Sequence, residues 1–145
     1  MSVGIALPII QRGFHSAKKV VNLHQKHTGE VGEVYFSTNN RIDPNKGKSV
    51  DYVLLVSNTF KFIAEFVSYE YFEDKGNPSD VIKYSPKEFN QDIDKHWFKI
   101  KNIRKIDDAE LNQFEMINKA AQEKYNGVCN YVNNSKRLQV FYFRG

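Results

Sequence analysis

The chain has 145 residues with a formal charge of +4; 41% of them are apolar, 14% are aromatic, and there is one cysteine. That length suits one domain with a real hydrophobic core, and the aromatic share argues against disorder. Apolar runs such as Val53-Leu54-Leu55-Val56 are far too short to cross a bilayer, the opening residues do not read as a secretory leader, and Cys129 alone closes no disulfide, so a cytoplasmic, reducing setting is expected.

Ser16 precedes a run with apolar positions Val20 and Leu23, joined by His24, which predicts a capped helix from Ala17 to His27 with Gly29 beyond it. Val34 to Ser37 reads as a strand. It leads into a polar stretch, Thr38 to Ser49, whose Asp43-Pro44-Asn45 and Gly47 mark a loop. Tyr52 to Ser57 is apolar on both faces, as a barrel or central strand would be, and a turn at Ser57-Asn58-Thr59 joins it to a second strand reaching Tyr69. After a loop at Asp74 to Pro78, Ser85-Pro86-Lys87-Glu88 combines an N-cap Ser, a Pro at the first helical position and a Glu three residues after the cap, predicting a short helix. Trp97 to Ile103 reads as a strand with Phe98 and Ile100 on one side and Trp97, Lys99 and Lys101 on the other. Asp107 with Glu110 suggests another capping box, opening a helix through Leu111, Phe114, Ile117 and Ala121 to Gly127, and Leu138 to Phe143 closes the chain as a strand.

The common enzyme signatures, among them the phosphate-cradling glycine loop, the dinucleotide fingerprint, the paired helical histidines of zinc proteases and the nucleophile elbow, are absent from the sequence. His24 and His27 stand one helical turn apart but lack an obvious third ligand nearby, so neither a metal nor a cofactor is expected. Glu65, inside a strand, has no acidic partner in sequence. The positive charge is local: Lys95, Lys99, Lys101, Arg104 and Lys105 fall between Asp92-Asp94 and Asp107-Asp108. A strand face carrying Trp97, Lys99 and Lys101 sets a flat ring beside two phosphate-seeking charges, a combination suited to single-stranded nucleic acid. The same residues equally suit a Trp packed beneath a helix with the lysine stems reaching solvent.

In this order the elements resemble the YTH family of readers of adenine methylated on its exocyclic amine, which belongs with the EVE, ASCH and PUA-like barrels. Val34-Tyr35-Phe36-Ser37-Thr38 is similar to the family's Gly-Val-Trp-Ser-Thr strand end, with one residue inserted and Phe36 where the first cage Trp would fall. The hairpin from Tyr52 to Tyr69 resembles the family's paired strands, and Phe98-Lys99-Ile100 with Ile103 its Phe-Lys-Ile strand. Tyr84 lies fourteen residues before Phe98, where a second cage aromatic would stand. The third wall falls on Asp94, a departure from the pattern, with Ile93 or Trp97 as substitutes. Lys136, Arg137 and Gln139 resemble the basic residue and Gln that contact or flank the RNA backbone.

The resemblance implies an α+β, PUA-like open β-barrel of about five to six strands flanked by two to three helices, one domain over residues 1–145. It implies a nucleic-acid-binding module, not an enzyme, that recognises an unpaired or flipped base, methylated or unmodified, on RNA or single-stranded or flipped-base DNA. Phe36, Ser37, Thr38, Asn39, Tyr84 and Trp97 are the candidate base contacts, and Lys99, Lys101, Lys136 and Arg137 the candidate phosphate contacts. Purely structural roles compete: Tyr84 as a hydrophobic staple with Phe89, Phe36 as core, and Ser37 to Asn40 as turn caps. Two other classes fit the same shell. One is a protein-interaction or inhibitory module of phage or defence type; the other is a small hydrolase or nuclease using Glu65 or the Asp92-Asp94 pair.

Overall fold

Consecutive side chains of a strand point to opposite faces of a sheet, and in this chain both faces of the central strands are apolar. The computed structural model describes residues 2–145. Among them, seven strands form one open, mostly antiparallel sheet, accompanied by six helices in an α+β arrangement. The strands are β1 (Val3–Pro8), β2 (Val34–Thr38), β3 (Tyr52–Val56), β4 (Lys61–Gly76), β5 (Asp94–Lys105), β6 (Glu115–Met116) and β7 (Phe141–Arg144). They lie in the order β2-β5-β4-β3-β1-β7-β6, and only the β1–β3 pair is parallel. The helices are α1 (Ala17–Val31), the single turns α2 (Pro44–Gly47), α3 (Val81–Tyr84) and α4 (Asp108–Leu111), and the short α5 (Lys119–Tyr125) and α6 (Val128–Asn134).

Alternation sorts the apolar residues into layers. Ile5 and Leu7 of β1, Val53 and Leu55 of β3, Phe62 and Ala64 of β4, and Phe98 and Ile100 of β5 share one core with Val20 and Val21 of α1. Their neighbours Ala6, Leu54, Val56 and Ile63 face a second core roofed by Leu111, Val128 and Val132. This explains why β3 reads as apolar on both sides: it is covered on both. A third, smaller cluster, Tyr35, Val81 and Trp97, backs β2 and β5.

Several sequence expectations are corrected. Strand β1 and helix α6 were not anticipated, so the sheet has more strands, and the sheet more helices around it, than the expected barrel. Helix α1 begins at the Ser16 cap as expected but runs past Gly29 to Gly32. The polar stretch after β2 contains the turn α2. The helix expected after Ser85 does not form, because Ser85 ends α3, donating its N–H to the Val81 carbonyl, and its hydroxyl is buried without a partner. Asp107 does cap its helix, accepting from Glu110 at 2.8 Å, but that helix stops at Leu111. Ile117 instead donates to the Tyr142 carbonyl beside the β6–β7 pair, and helix resumes only at Lys119.

Gly4 permits the closest packing in the sheet: a Cβ there would lie 2.2 Å from the ring of Phe143, itself 2% exposed in the second core. Gly4→Ala is expected to lower stability by about 1–3 kcal/mol through overpacking. The readout is a lower urea midpoint, partly restored when Phe143→Leu is added; an unchanged midpoint would contradict this packing.

Candidate functional site

A cleft of about 440 Å³ opens where the chain leaves β1 and β2 and enters β5. Its lining comes from Pro8, Ile10 and Arg12, from Phe36 and Thr38-Asn39-Asn40, and from Asp92-Ile93-Asp94. Ligand pockets commonly fall in this size range.

Arg12 organises the floor. One guanidinium nitrogen donates to the Ser37 hydroxyl at 3.2 Å, the other donates to the Ser37 carbonyl, and Asp92 lies 3.6 Å away. The guanidinium carbon stands 5.0 Å from the centre of the Phe36 ring and 5.6 Å from that of Phe89, a cation–π arrangement. Burial lowers the Arg12 pKa, opposed by Asp94 and Asp92, and the group stays charged. Ser37 passes the connection on, donating to Asp94 at 2.6 Å. The second oxygen of Asp94 accepts from the Asn39 side-chain NH₂ at 2.6 Å, and the Asn39 side-chain oxygen Oδ1 accepts from the Lys95 backbone N–H at 2.8 Å. Both oxygens of Asp94 are therefore occupied. Asp92 has only the long contact to Arg12 and a side chain 40% exposed; burial raises its pKa, Arg12 opposes the rise and Asp94 adds to it.

The predicted site residues are divided between the cleft and the outer cluster of Tyr35 and Trp97. Phe36, Thr38 and Asn39 line the cleft, and Ser37 ties its floor together. Phe36 is only 2% exposed, so its ring is a floor beneath Arg12 and offers no free face for stacking. Tyr84 and Trp97 do not join it. They belong with Tyr35 to the cluster on the other side of β2 and β5, so Phe36 and Tyr84 form no common slot. Trp97 is buried and spends its indole N–H on the carbonyls of Gly76 and Asp94. Tyr84 is not a staple for Phe89 either, since Phe89 packs in the main core against His24. Of the proposed cage substitutes, Ile93 lines the cleft and Trp97 does not.

Lys99 is already engaged. Its ammonium lies 3.1 Å from Asp80, 3.9 Å from the Tyr84 ring centre and 4.9 Å from that of Tyr35. Tyr35 donates to Asp80 at 2.7 Å, and burial with this acidic neighbour raises the Tyr35 pKa. Burial would raise that of Asp80, but the bonds from Tyr35 and Lys99 bring it below the ordinary value. None of Lys99, Lys101, Lys136 or Arg137 lines the cleft; Lys136, Arg137 and Gln139 are exposed beyond α6.

His24 and His27 do not converge on a ligand. His24 is buried, its Nδ1 donates to the Val20 carbonyl at 2.7 Å, and its ring stacks on Phe89, while His27 contacts the Lys83 carbonyl. Glu65 accepts from the Asn102 amide. Among the described residues no cluster of three or more His, Cys, Asp or Glu has metal-site geometry, and no helix is long and apolar enough to cross a membrane. A second, larger cavity of about 730 Å³ lies beneath α5 and β7, with a mainly apolar wall that includes Met116, Tyr125, Val140 and Phe141. Its polar lining is Lys46, Ser49, Asn118 and Gln139, with the Tyr142 hydroxyl buried and without a hydrogen-bond partner. Arg12 was missed by sequence reasoning because its partners are 25 and more residues away and no local pattern marks it.

No protein-family model, curated protein or solved structure matches the chain.

Burial pushes the His24 pKa down from 6.5 to about 3, with the nearby charge of Arg12 lowering it further and the bond to Val20 opposing. The unfolded chain therefore takes up this proton first, and stability falls as the pH drops from about 6.5 towards 3, by at most about 1.4 kcal/mol per pH unit. His96, lowered by burial and by Lys95, acts in the same direction. Urea midpoints are expected to be lower near pH 5 than near pH 7. His24→Phe, which keeps a ring against Phe89, should remove the larger part of that difference; an unaltered difference would show that His24 does not cause it.

Proposed function

We propose that the chain is a nucleic-acid-binding module of PUA-like, YTH-related type that holds one unpaired or flipped base, methylated or unmodified, in the Arg12 cleft without transforming it. The observation that carries this reading is the make-up of the cleft. Its floor is a fixed chain of donors and acceptors from Arg12 through Ser37 and Asp94 to Asn39, and its rim holds Ile10 and Ile93, exposed by 71% and 58%. A planar heterocycle with polar edges suits such walls: aliphatic side chains cover its faces while hydrogen bonds read its edge. Asp92, the carboxylate with spare capacity, is placed to accept from an exocyclic amine.

The sheet supports the barrel-like part of the proposal. Arg12, just beyond β1, touches Ser37 on β2, although three strands separate β1 from β2 in the ladder, so the sheet curls strongly. In this reading, phosphate contact passes from the engaged Lys99 to Arg41 and Lys95, which directly follow the cleft residues Asn40 and Asp94.

Fluorescence anisotropy with labelled single-stranded RNA and DNA, with and without an N6-methylated adenine, tests the proposal. Binding at low salt is expected, weakening as salt rises, and Asp92→Ala should cost about tenfold or more in affinity. No binding of any oligonucleotide at low salt would overturn it.

A second reading, hydrolysis in the same cleft, is favoured by the raised pKa of Asp92 beside Asp94, a property shared by general acids. Turnover of an oligonucleotide that is lost in Asp92→Asn would establish it in place of simple binding.

A further inference from the structure

The cavity of about 730 Å³ beneath α5 and β7 shares no residue with the Arg12 cleft and is large enough for a small organic molecule. Helix α5 forms its roof. Ala121 and Tyr125 stand four residues apart, so they share one face of the helix, and that face is turned to the cavity. None of the seven residues of α5 is buried. A helix this short draws its stability from packing an apolar face, and here that face looks onto open space instead of core. The floor opposite is aromatic. Tyr131 and Phe141 are buried with their rings edge to face at 5.4 Å, and the Tyr125 ring centre lies 4.5 Å from that of Tyr131.

One charge stands among these walls. Lys46, on the turn α2, is the single charged residue of the lining, which contains no Asp or Glu. Its ammonium lies 5.8 Å from the centre of the Tyr142 ring on the cavity wall, and among the described residues it makes no ion pair. The neighbouring acid Asp43 is spent on capping α2, accepting from the Asn45 N–H at 2.9 Å. A cation without a counter-charge beside an apolar space selects an occupant that is anionic at one end and apolar along the rest. A bare inorganic anion would leave the aromatic floor uncovered, and a neutral hydrocarbon would leave Lys46 unmatched.

We infer that this cavity binds a small amphipathic carboxylic acid, with its apolar body against Tyr125, Tyr131 and Phe141 and its carboxylate paired with Lys46. The occupant gives α5 the packing that its inner face lacks, so binding and the order of this helix rise together. The site is independent of the base-capture reading and stands or falls apart from it.

Isothermal titration calorimetry with decanoate and 2-naphthoate, each beside the neutral alcohol of the same skeleton, tests the assignment. At least one acid is expected to bind, about tenfold or more tighter than its alcohol. Lys46→Met, a change at an exposed position, should remove that preference while affinity for the alcohol stays within about twofold. Ala121→Phe, which sets a ring into the space beneath α5, should abolish binding of acid and alcohol alike, with its melting temperature checking that the fold is kept. Amide hydrogen exchange across residues 119–125 should slow when the acid is added to the wild type. Failure of both acids to bind, an alcohol bound as tightly as its acid, a preference that survives Lys46→Met, or unaltered exchange in α5 would each overturn the site.

Discussion

A guanidinium drawn largely out of water must find partners for its charge and for its five N–H donors, and the architecture around the cleft follows from how Arg12 meets that demand. Its partners come from the edge strand β2 and from the approach to β5, neither of which neighbours β1 in the hydrogen-bonded ladder. One side chain thereby ties the segment after β1 to the paired strands β2 and β5, which the ladder keeps three strands away from β1. Ser37 is the hinge of that arrangement, accepting from Arg12 while donating to Asp94, so its hydroxyl is used in both directions. The cleft exists because these segments are held at a fixed spacing, with Phe36 and Phe89 supplying ring surface below the charge.

What the sequence made legible was local. The Ser16 cap, the β3–β4 turn and the division of β5 between core and opposite face all follow from patterns within a few residues, and the structure has them. Where a residue's partner is distant, the pattern misled. Ser85-Pro86 has the composition of a helix start, but its serine is used to end the preceding turn. The run from Leu111 to Ala121 has helical spacing, yet Ile117 gains more from the backbone of β7 than from continuing a helix, an example of tertiary pairing overriding propensity.

The candidate site divides in the same way. Phe36 and Ser37 were found from the likeness of their strand end to a Trp-Ser-Thr motif, and both serve the cleft. Tyr84 was found from its spacing to Phe98, which carries no information about which face of the sheet a ring occupies, and Trp97 from strand alternation, which placed it opposite Phe98 but not beneath a covering layer. Parity decides it: Phe36 and Phe98 face one layer, Tyr35 and Trp97 the other, and Tyr84 follows the latter pair. Lys99, on the Trp97 side, is consumed by the Tyr35–Asp80–Tyr84 group and stabilises the outer layer instead of waiting for a phosphate.

The two margins of the open sheet differ in kind but share an outcome. All five residues of β2 are buried, with α1 and α3 packed beside the strand, and at the opposite margin β6 is only two residues long, with an ion pair between Glu115 and Arg144 across it. Neither margin presents a long, flat row of free amides and carbonyls to template the addition of a strand from another molecule. A seven-stranded ladder closed in this way at both margins leaves an incoming strand only short or covered stretches of backbone to pair with.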